Sequence, residues 1–386
     1  MALWDAVRKM QIRTLVFSTL LLYFIALSSY SIVWTESHNL DLTVFVHAGE
    51  KLGLEFPGVY TYPGSEGYDG QIYLLIAEHP LDLSKMREVD SEQCIYYRYQ
   101  RILYPLTVHA LSLGSIRLMP YMMLLVNLVS VLLSTVVFHK LLSLSKHPLA
   151  YSLYLPMTTG LFLSVLLDLT EPMWVLFILA AFYFLSRGEH VKSAAFILLA
   201  SFTKETTLLL VVPLVLHYLY IRDSRTAIVF LASLVPFLMW QGVLFSVFGS
   251  VPLLYSMTFS TDYQWLYDSL LSNLTSPQIP MLPVYLILAT IPAAIVVSLS
   301  AFRRNKSAVT TVLLANSMLI LLLLVKKIPW EDVFAASRTI LPLALVALIY
   351  LAESGDRKTH YVLLPSAVLT LLLSVFYLIK AVSILV

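Results

Sequence analysis

Four stretches, Met122 to Phe138, Ala227 to Phe248, Val284 to Ala301 and Tyr361 to Ile379, are almost wholly apolar. Each is close to the ~20 residues an α-helix needs to cross a hydrocarbon core. Only 12% of the chain is charged and 59% is hydrophobic, against roughly 25% charged residues in a soluble domain. Too few polar side chains remain to make a water-facing surface, so the blocks read as membrane spans. The expected fold class is an all-α polytopic membrane protein. The net charge of +2 gives no field that would draw nucleic acid. The lone Cys94 excludes an intramolecular disulfide.

The apolar run Thr14 to Trp34 follows Arg8, Lys9 and Arg13. It is longer than the ~7–15 residues of a cleavable signal's apolar core and is expected to be a retained first span. Lys and Arg gather in short loops: Lys140 and Lys146; Arg187 and Lys192; Arg222 and Arg225; Arg303, Arg304 and Lys306; Arg357 and Lys358. With the N-terminal three, these place fourteen of the 25 basic residues on the cytoplasmic side. The loops Thr35–Arg117, Asp168–Pro172, Gly249–Pro280 and Lys326–Asp332 then face outward. Basic loops flank Ser193–Tyr220 at both ends, and Lys204 and Glu205 sit at its middle. That segment is expected to be two short helices meeting at a polar turn, because charge at membrane depth is tolerated where it faces protein or a water-filled cavity. About eleven crossings result, with the N-terminus cytoplasmic. No internal repeat divides the chain, so one membrane domain is expected: first span 1–34, external loop 35–118, spans two to seven over 119–248, external loop 249–280 and spans eight to eleven over 281–386.

The first external segment, roughly 80 residues, far exceeds an ordinary connection of ~4–6, which favours a functional loop. In GYDGQIYLLIAEHP, Asp69 takes an N-cap position, Ile72, Leu75 and Ile76 share a face, and Pro80 ends the run. A short helix lying at the membrane surface is expected there. The external face collects the carboxylates Asp41, Asp69, Asp168 and Glu171 and the cations Arg98, Arg101, Lys204 and Arg338. Such a set suits transfer of a group from an anionic lipid to a hydroxyl. A carboxylate takes the acceptor proton, and cations stabilise the departing phosphate. Partial desolvation would make the carboxylate a better base.

The stretch YPGSEGYDGQIYLLIAEHP, followed by YYRYQRILYPL, resembles the first external loop of GT-C fold glycosyltransferases that use lipid-phosphate sugars. More specifically, it looks like a prokaryotic branch distantly similar to the GPI-anchor mannosyltransferases. Their aromatic-Asp-x-x-x-Tyr-x-x-Ile-Ala pattern reads here as Tyr68, Asp69, Tyr73, Ile76 and Ala77. LTEP at Leu169–Pro172 resembles the family's second acidic motif, and SFTKETTLLL resembles a Thr-Arg-Glu-Thr turn in which Lys204 replaces Arg. The likeness covers the first two hundred residues; beyond them it rests on topology and on SRTILPL around Arg338.

The resemblance implies a multi-pass protein of the prokaryotic cell membrane with its active site outside the cytoplasm. It would move a hexose such as mannose, with inversion, from a polyprenyl-phosphate donor to a glycan, glycolipid or protein acceptor. Asp69 takes the role of general base, with Asp41 second because other GT-C branches place their first acid just after span one. Arg98, Arg101, Lys204 and Arg338 are candidates for the donor phosphate. Glu171, Asp168, Tyr73, Gln71 and Glu205 are candidates for substrate binding or a second acid. No cofactor is expected, since the histidines show no HExxH spacing; a divalent ion at Asp41 or Asp69 stays open.

Plainer roles stand beside these. Asp69 serves as a helix cap, and Glu171 begins a span where the helix dipole favours acids. Arg98 and Arg101 pair with Glu88, Asp90 or Glu92; Lys204 pairs with Glu205; Arg338 anchors a span at the interface. Tyr60, Tyr62, Tyr96, Tyr97, Tyr99 and Trp265 belong to an interfacial belt, and Asn273–Thr275 is a short sequon with a high chance rate. A transporter or flippase of a lipid-linked glycan is the rival function, though such proteins often show repeats and broken midplane helices. A non-catalytic membrane scaffold is the third.

Overall fold

A computed structural model of the chain describes residues 12–89, 95–254, 282–323 and 332–386. Arg8, Lys9, Asp90, Glu92, Cys94, Trp265, the Asn273 sequon and most of the loop 249–280 lie outside them. The described residues are overwhelmingly helical, and their one small sheet pairs β1 (Ala48–Gly49) with β2 (Thr61–Tyr62) in parallel.

Long apolar segments become long helices. These are α1 (Ile12–Thr35), α6 (Met119–Leu144), α11 (Ser224–Phe248), α15 (Val333–Ser354) and α16 (His360–Leu385). A sixth apolar stretch, Pro283–Arg304, runs through α12 (Leu282–Leu288) and α13 (Thr290–Arg304). These six are long and apolar enough to cross a membrane. Shorter helices pack among them: α7 (Thr159–Leu166), α8 (Glu171–Ser186), α9 (His190–Thr203), α10 (Leu208–Tyr220) and α14 (Ala308–Leu323). Helices α9 and α10 meet at the 3-10 turn Glu205–Thr207, which is the hairpin expected around Lys204. At ~1.5 Å per residue, their 14 and 13 residues fall short of the ~30 Å hydrocarbon thickness. The charged turn is therefore carried inward and buried by neighbouring helices. Helix α15 is central, with every residue from Ile340 to Ala352 buried. Large apolar side chains such as Phe17, Phe24, Met239 and Phe376 are exposed on the peripheral helices α1, α11 and α16.

The first loop folds into short pieces: α2 (Asp69–Glu78), α3 (Leu83–Val89), α4 (Ile95–Tyr99) and α5 (Leu103–Leu111). Two expectations about α2 need correction. The N-cap is Tyr68, and Asp69 is the first helical residue, with its carboxylate turned to guanidinium groups instead of the helix N–H groups. Nor does the helix lie on a surface: every residue from Gly70 to Ala77 is buried. Gly70 explains how it gets so deep. A Cβ there would stand 2.5 Å from the Leu167 carbonyl oxygen and 2.6 Å from that of Val46. Only glycine lets the start of α2 press against the turn between α7 and α8. Gly160, in α7, allows the same approach to α15, since a Cβ would meet the Ser337 oxygen at 2.3 Å.

Gly70→Ala is expected to lower the unfolding free energy by about 1–3 kcal/mol, the usual range for overpacking a filled interior. Thermal denaturation of the purified protein checks it. A melting temperature equal to that of the parent would show that α2 does not pack as closely as described.

Candidate functional site: a buried ionic cluster

Seven charged side chains from the first loop, α8, the α9–α10 turn and α15 converge beside the start of α2. Asp69 receives Arg98 on Oδ1, from Nε and Nη2 at 2.7 Å each. Its Oδ2 accepts from Arg338 Nη2 at 3.2 Å, with Arg101 Nη1 at 4.0 Å. Arg101 makes a two-pronged pair with Glu205, at 2.8 Å from Nε and 2.6 Å from Nη2. It also donates to the hydroxyls of Tyr73 at 2.5 Å and Tyr97 at 2.8 Å. Glu171, fully buried, takes both of its cations on one oxygen: Lys204 Nζ and Arg338 Nε each stand 2.6 Å from Oε1. Its Oε2 is buried without a hydrogen-bond partner. Arg338 therefore joins two carboxylates, and it also donates to Tyr68 OH at 3.2 Å while lying over that ring.

Local structure fixes each member. Helix α2 presents Tyr68, Asp69 and Tyr73 from its first turns. Arg98 and Arg101 are linked by a turn in which the Arg101 N–H donates to the Arg98 carbonyl. Lys204 ends α9 in an extended conformation, and Thr207 donates to its carbonyl. Below it, Trp174 donates from Nε1 to Thr207 Oγ1 at 2.9 Å, with its ring 5.9 Å from the Lys204 ammonium.

Among the described residues, four cations meet three carboxylates in these pairs, an excess of one positive charge. Burying ions is costly, and breaking one pair in such a site strands a charge at about 3–5 kcal/mol. Burial by itself would raise the Asp69 pKa. The guanidinium groups of Arg98, Arg338 and Arg101 outweigh it and hold the carboxyl well below the usual carboxylate range. This overturns the expectation that desolvation makes Asp69 a stronger base: while its arginines stay in place, it is a weak one. Burial also pushes the Tyr68 and Tyr73 hydroxyls up to about 12, against the pull of Arg338 and Arg101, so both stay protonated.

The other expected residues divide. Asp41 is not joined to the cluster; it caps the 3-10 turn Leu42–Val46, accepting from the Thr43 N–H at 2.8 Å and its hydroxyl at 2.7 Å. Gln71 braces the loop, accepting from the Gly49 N–H and donating to the Glu66 carbonyl. Asp168 stands apart in the turn before Glu171, bonded to Asn127 Nδ2 at 3.2 Å. Among the described residues Arg98 meets Asp69, while its expected alternatives Asp90 and Glu92 lie outside them. Two plainer roles are corrected, since Lys204 pairs with Glu171 instead of its neighbour Glu205 and Arg338 joins the cluster instead of anchoring a span. Tyr97 belongs to the cluster and not to an interfacial belt. Asn127 escaped attention, although a carboxamide inside the apolar block Met122–Phe138 was a signal in itself, since polar groups in spans are costly. Among the described residues, no three His, Cys, Asp or Glu side chains are grouped as they would be around a metal ion.

Fold and site together define a helical protein with several membrane-length helices and a buried, cation-rich cluster. Comparison with known proteins returned no family model, no curated protein and no solved structure that matches the chain.

A depressed pKa means that Asp69 stabilises the fold fully above the unfolded carboxylate value, about 4. That contribution is lost as pH falls from there toward the folded value. The melting temperature is expected to fall below about pH 4, and the fall to be shallower in Asp69→Asn, as pH-dependent calorimetry would measure. Identical slopes in the two proteins would show that Asp69 is not held by its arginines.

Proposed function

We propose that the chain is a membrane glycosyltransferase of the GT-C type. It moves a hexose such as mannose from a polyprenyl-phosphate donor to a hydroxyl acceptor on the extracytoplasmic side, with inversion. Counting α1, α6, the pair formed by Leu149–Tyr154 and α7, α8, the two arms of the α9–α10 hairpin, which enters and leaves on one side, α11, the α12–α13 stretch, and α14 to α16 gives eleven membrane segments. The first loop, α2 included, then lies on the outer side.

The observation that carries the reading is the position of Asp69 between Arg98 and Arg338, in a cluster whose described residues carry one surplus positive charge. A polyprenyl-phosphate sugar is a phosphodiester with a single negative charge and matches that surplus. In the reaction, the acceptor oxygen bonds to the anomeric carbon. The bond from that carbon to the phosphate oxygen breaks, and its electron pair stays on the phosphate. Asp69 receives the acceptor proton. The phosphate gains one negative charge as the carboxylate loses one, so the net charge of the buried site is unchanged through the step. Arginines are suited to the role, because a guanidinium fork matches phosphate oxygens.

The same geometry supplies an order of events. With no donor bound, the arginines suppress the basicity of Asp69. A donor phosphate that draws Arg98 or Arg338 to itself weakens that hold and raises the Asp69 pKa, each unit being about 1.4 kcal/mol. The base is thus strengthened when a sugar is present to be transferred, which limits idle chemistry.

With a radiolabelled panel of polyprenyl-phosphate sugars and membrane acceptors, Asp69→Asn is expected to reduce transfer by about 10²–10⁴-fold, the usual weight of a general base. Arg338→Gln is expected to raise the donor KM. Transfer by Asp69→Asn at the parent rate, or no transfer by the parent from any donor in the panel, would overturn the proposal.

A further inference from the structure

Asp168 is a carboxyl beside the cluster that no cation meets among the described residues. It is fully buried, no ion pair reaches it among the described residues, and its backbone is left-handed, with φ of 47°. Arg98, Arg101, Lys204 and Arg338 are each committed to Asp69, Glu171 or Glu205. Two buried oxygens at this place have no hydrogen-bond partner: Oδ2 of Asp168 and Oδ1 of Asn127. The two groups are already joined along their other edge, where Asn127 Nδ2 donates to Asp168 Oδ1 at 3.2 Å. Both remaining atoms are acceptors, and two acceptors cannot satisfy each other. One proton supplies the missing donor for both.

We propose that Asp168 is held as the neutral carboxylic acid, with its Oδ2 hydroxyl donating to Asn127 Oδ1 so that acid and amide form a cyclic pair. An unpaired buried carboxylate is among the most costly groups a protein can hold, whereas a protonated one is an ordinary hydrogen-bonding group. The pair is a positioning element. Asn127 Nδ2 also donates to Tyr104 OH at 3.0 Å, and the Tyr104 hydroxyl donates between the Met123 carbonyl at 3.3 Å and the Asp168 carbonyl at 3.4 Å. The Tyr104 ring stands edge-on to Tyr73 at 5.9 Å, and Tyr73 accepts from Arg101. Glu171 follows three residues later on the same turn. Groups facing the pair thus include Tyr104 from α5, Tyr73 from α2 and Glu171 from α8. The proton also has an electrostatic consequence. An ionised Asp168 would bring a fourth negative charge against four cations and cancel the excess; a neutral one leaves it available to an anion.

Infrared difference spectroscopy of the full-length protein, parent minus Asp168→Asn, tests this without any assay of transfer. The expected result is a carboxylic-acid C=O band in the parent that Asp168→Asn abolishes and that persists between about pH 5 and pH 8, where folded proteins are usually most stable. Asn reproduces the shape of the neutral acid, so Asp168→Asn should fold with a parent-like melting temperature. It should also bind a polyprenyl monophosphate within about threefold of the parent, as expected of a near-isosteric exchange of one hydrogen-bonded group. Absence of the band, its loss within that pH interval, or failure of Asp168→Asn to fold would each overturn the proposal. A band in a protein that transfers no sugar would leave this inference standing while the proposed function fell.

Discussion

The contact on which this structure depends is the carboxylate of Asp69 held between Arg98 and Arg338. It ties the first loop to itself across 29 residues and to α15 across 269. Charges of this kind do not enter a helical membrane interior unless each finds its complement. Once Arg338 is buried on α15, Glu171 and Asp69 must be brought to it, and Lys204, Arg101 and Glu205 follow as partners of those carboxylates. Apolar packing supplies the walls, and the ionic cluster specifies how they meet. Gly70 and Gly160 are part of that specification, because each lets backbone approach backbone where the cluster needs its elements close.

Local pattern was the legible part of the sequence. Long apolar blocks announced long helices, and the charged Lys204–Glu205 pair, inside a segment with basic residues at both ends, announced a hairpin. The composition of the cluster was legible as well: Asp69, Arg98, Arg101, Glu171, Lys204, Glu205 and Arg338 were all candidates before the structure was known, and they meet at one place. What the sequence did not carry was who pairs with whom. Lys204 and Glu205 are neighbours, yet they face different partners, because the turn between α9 and α10 points them toward α8 and the first loop separately. Asp69 followed the pattern of a helix cap, but three guanidinium groups compete for it more strongly than a helix N–H does. Asp41 and Gln71 carried the same chemistry on paper and turned out to brace the loop. Short-range signals report helix ends and turns; pairings across a hundred residues or more are decided by packing.

The cluster also shows how a buried site keeps an unbalanced charge. Among the described residues three carboxylates answer four cations, and the second oxygen of Glu171 is left bare while both of its partners crowd the first. A surplus of this size is tolerable because it is shared among guanidinium groups and surrounded by the hydroxyls of Tyr68, Tyr73 and Tyr97, and under the proposed function it suits a ligand of one negative charge. Under the proposed function such a site would bind an anion by exchanging partners, not by gaining contacts: what the phosphate takes from Arg98 or Arg338, Asp69 gives up.

Equilibrium binding of a short-chain polyprenyl monophosphate to the purified protein tests that exchange most directly. The account predicts saturable binding that weakens by at least about tenfold, or 1.4 kcal/mol, when Arg338 is replaced by Gln, and that is kept or strengthened when Asp69 is replaced by Asn, since the arginines are then easier to draw away. Binding that is absent in the parent, or indifferent to Arg338, would contradict it.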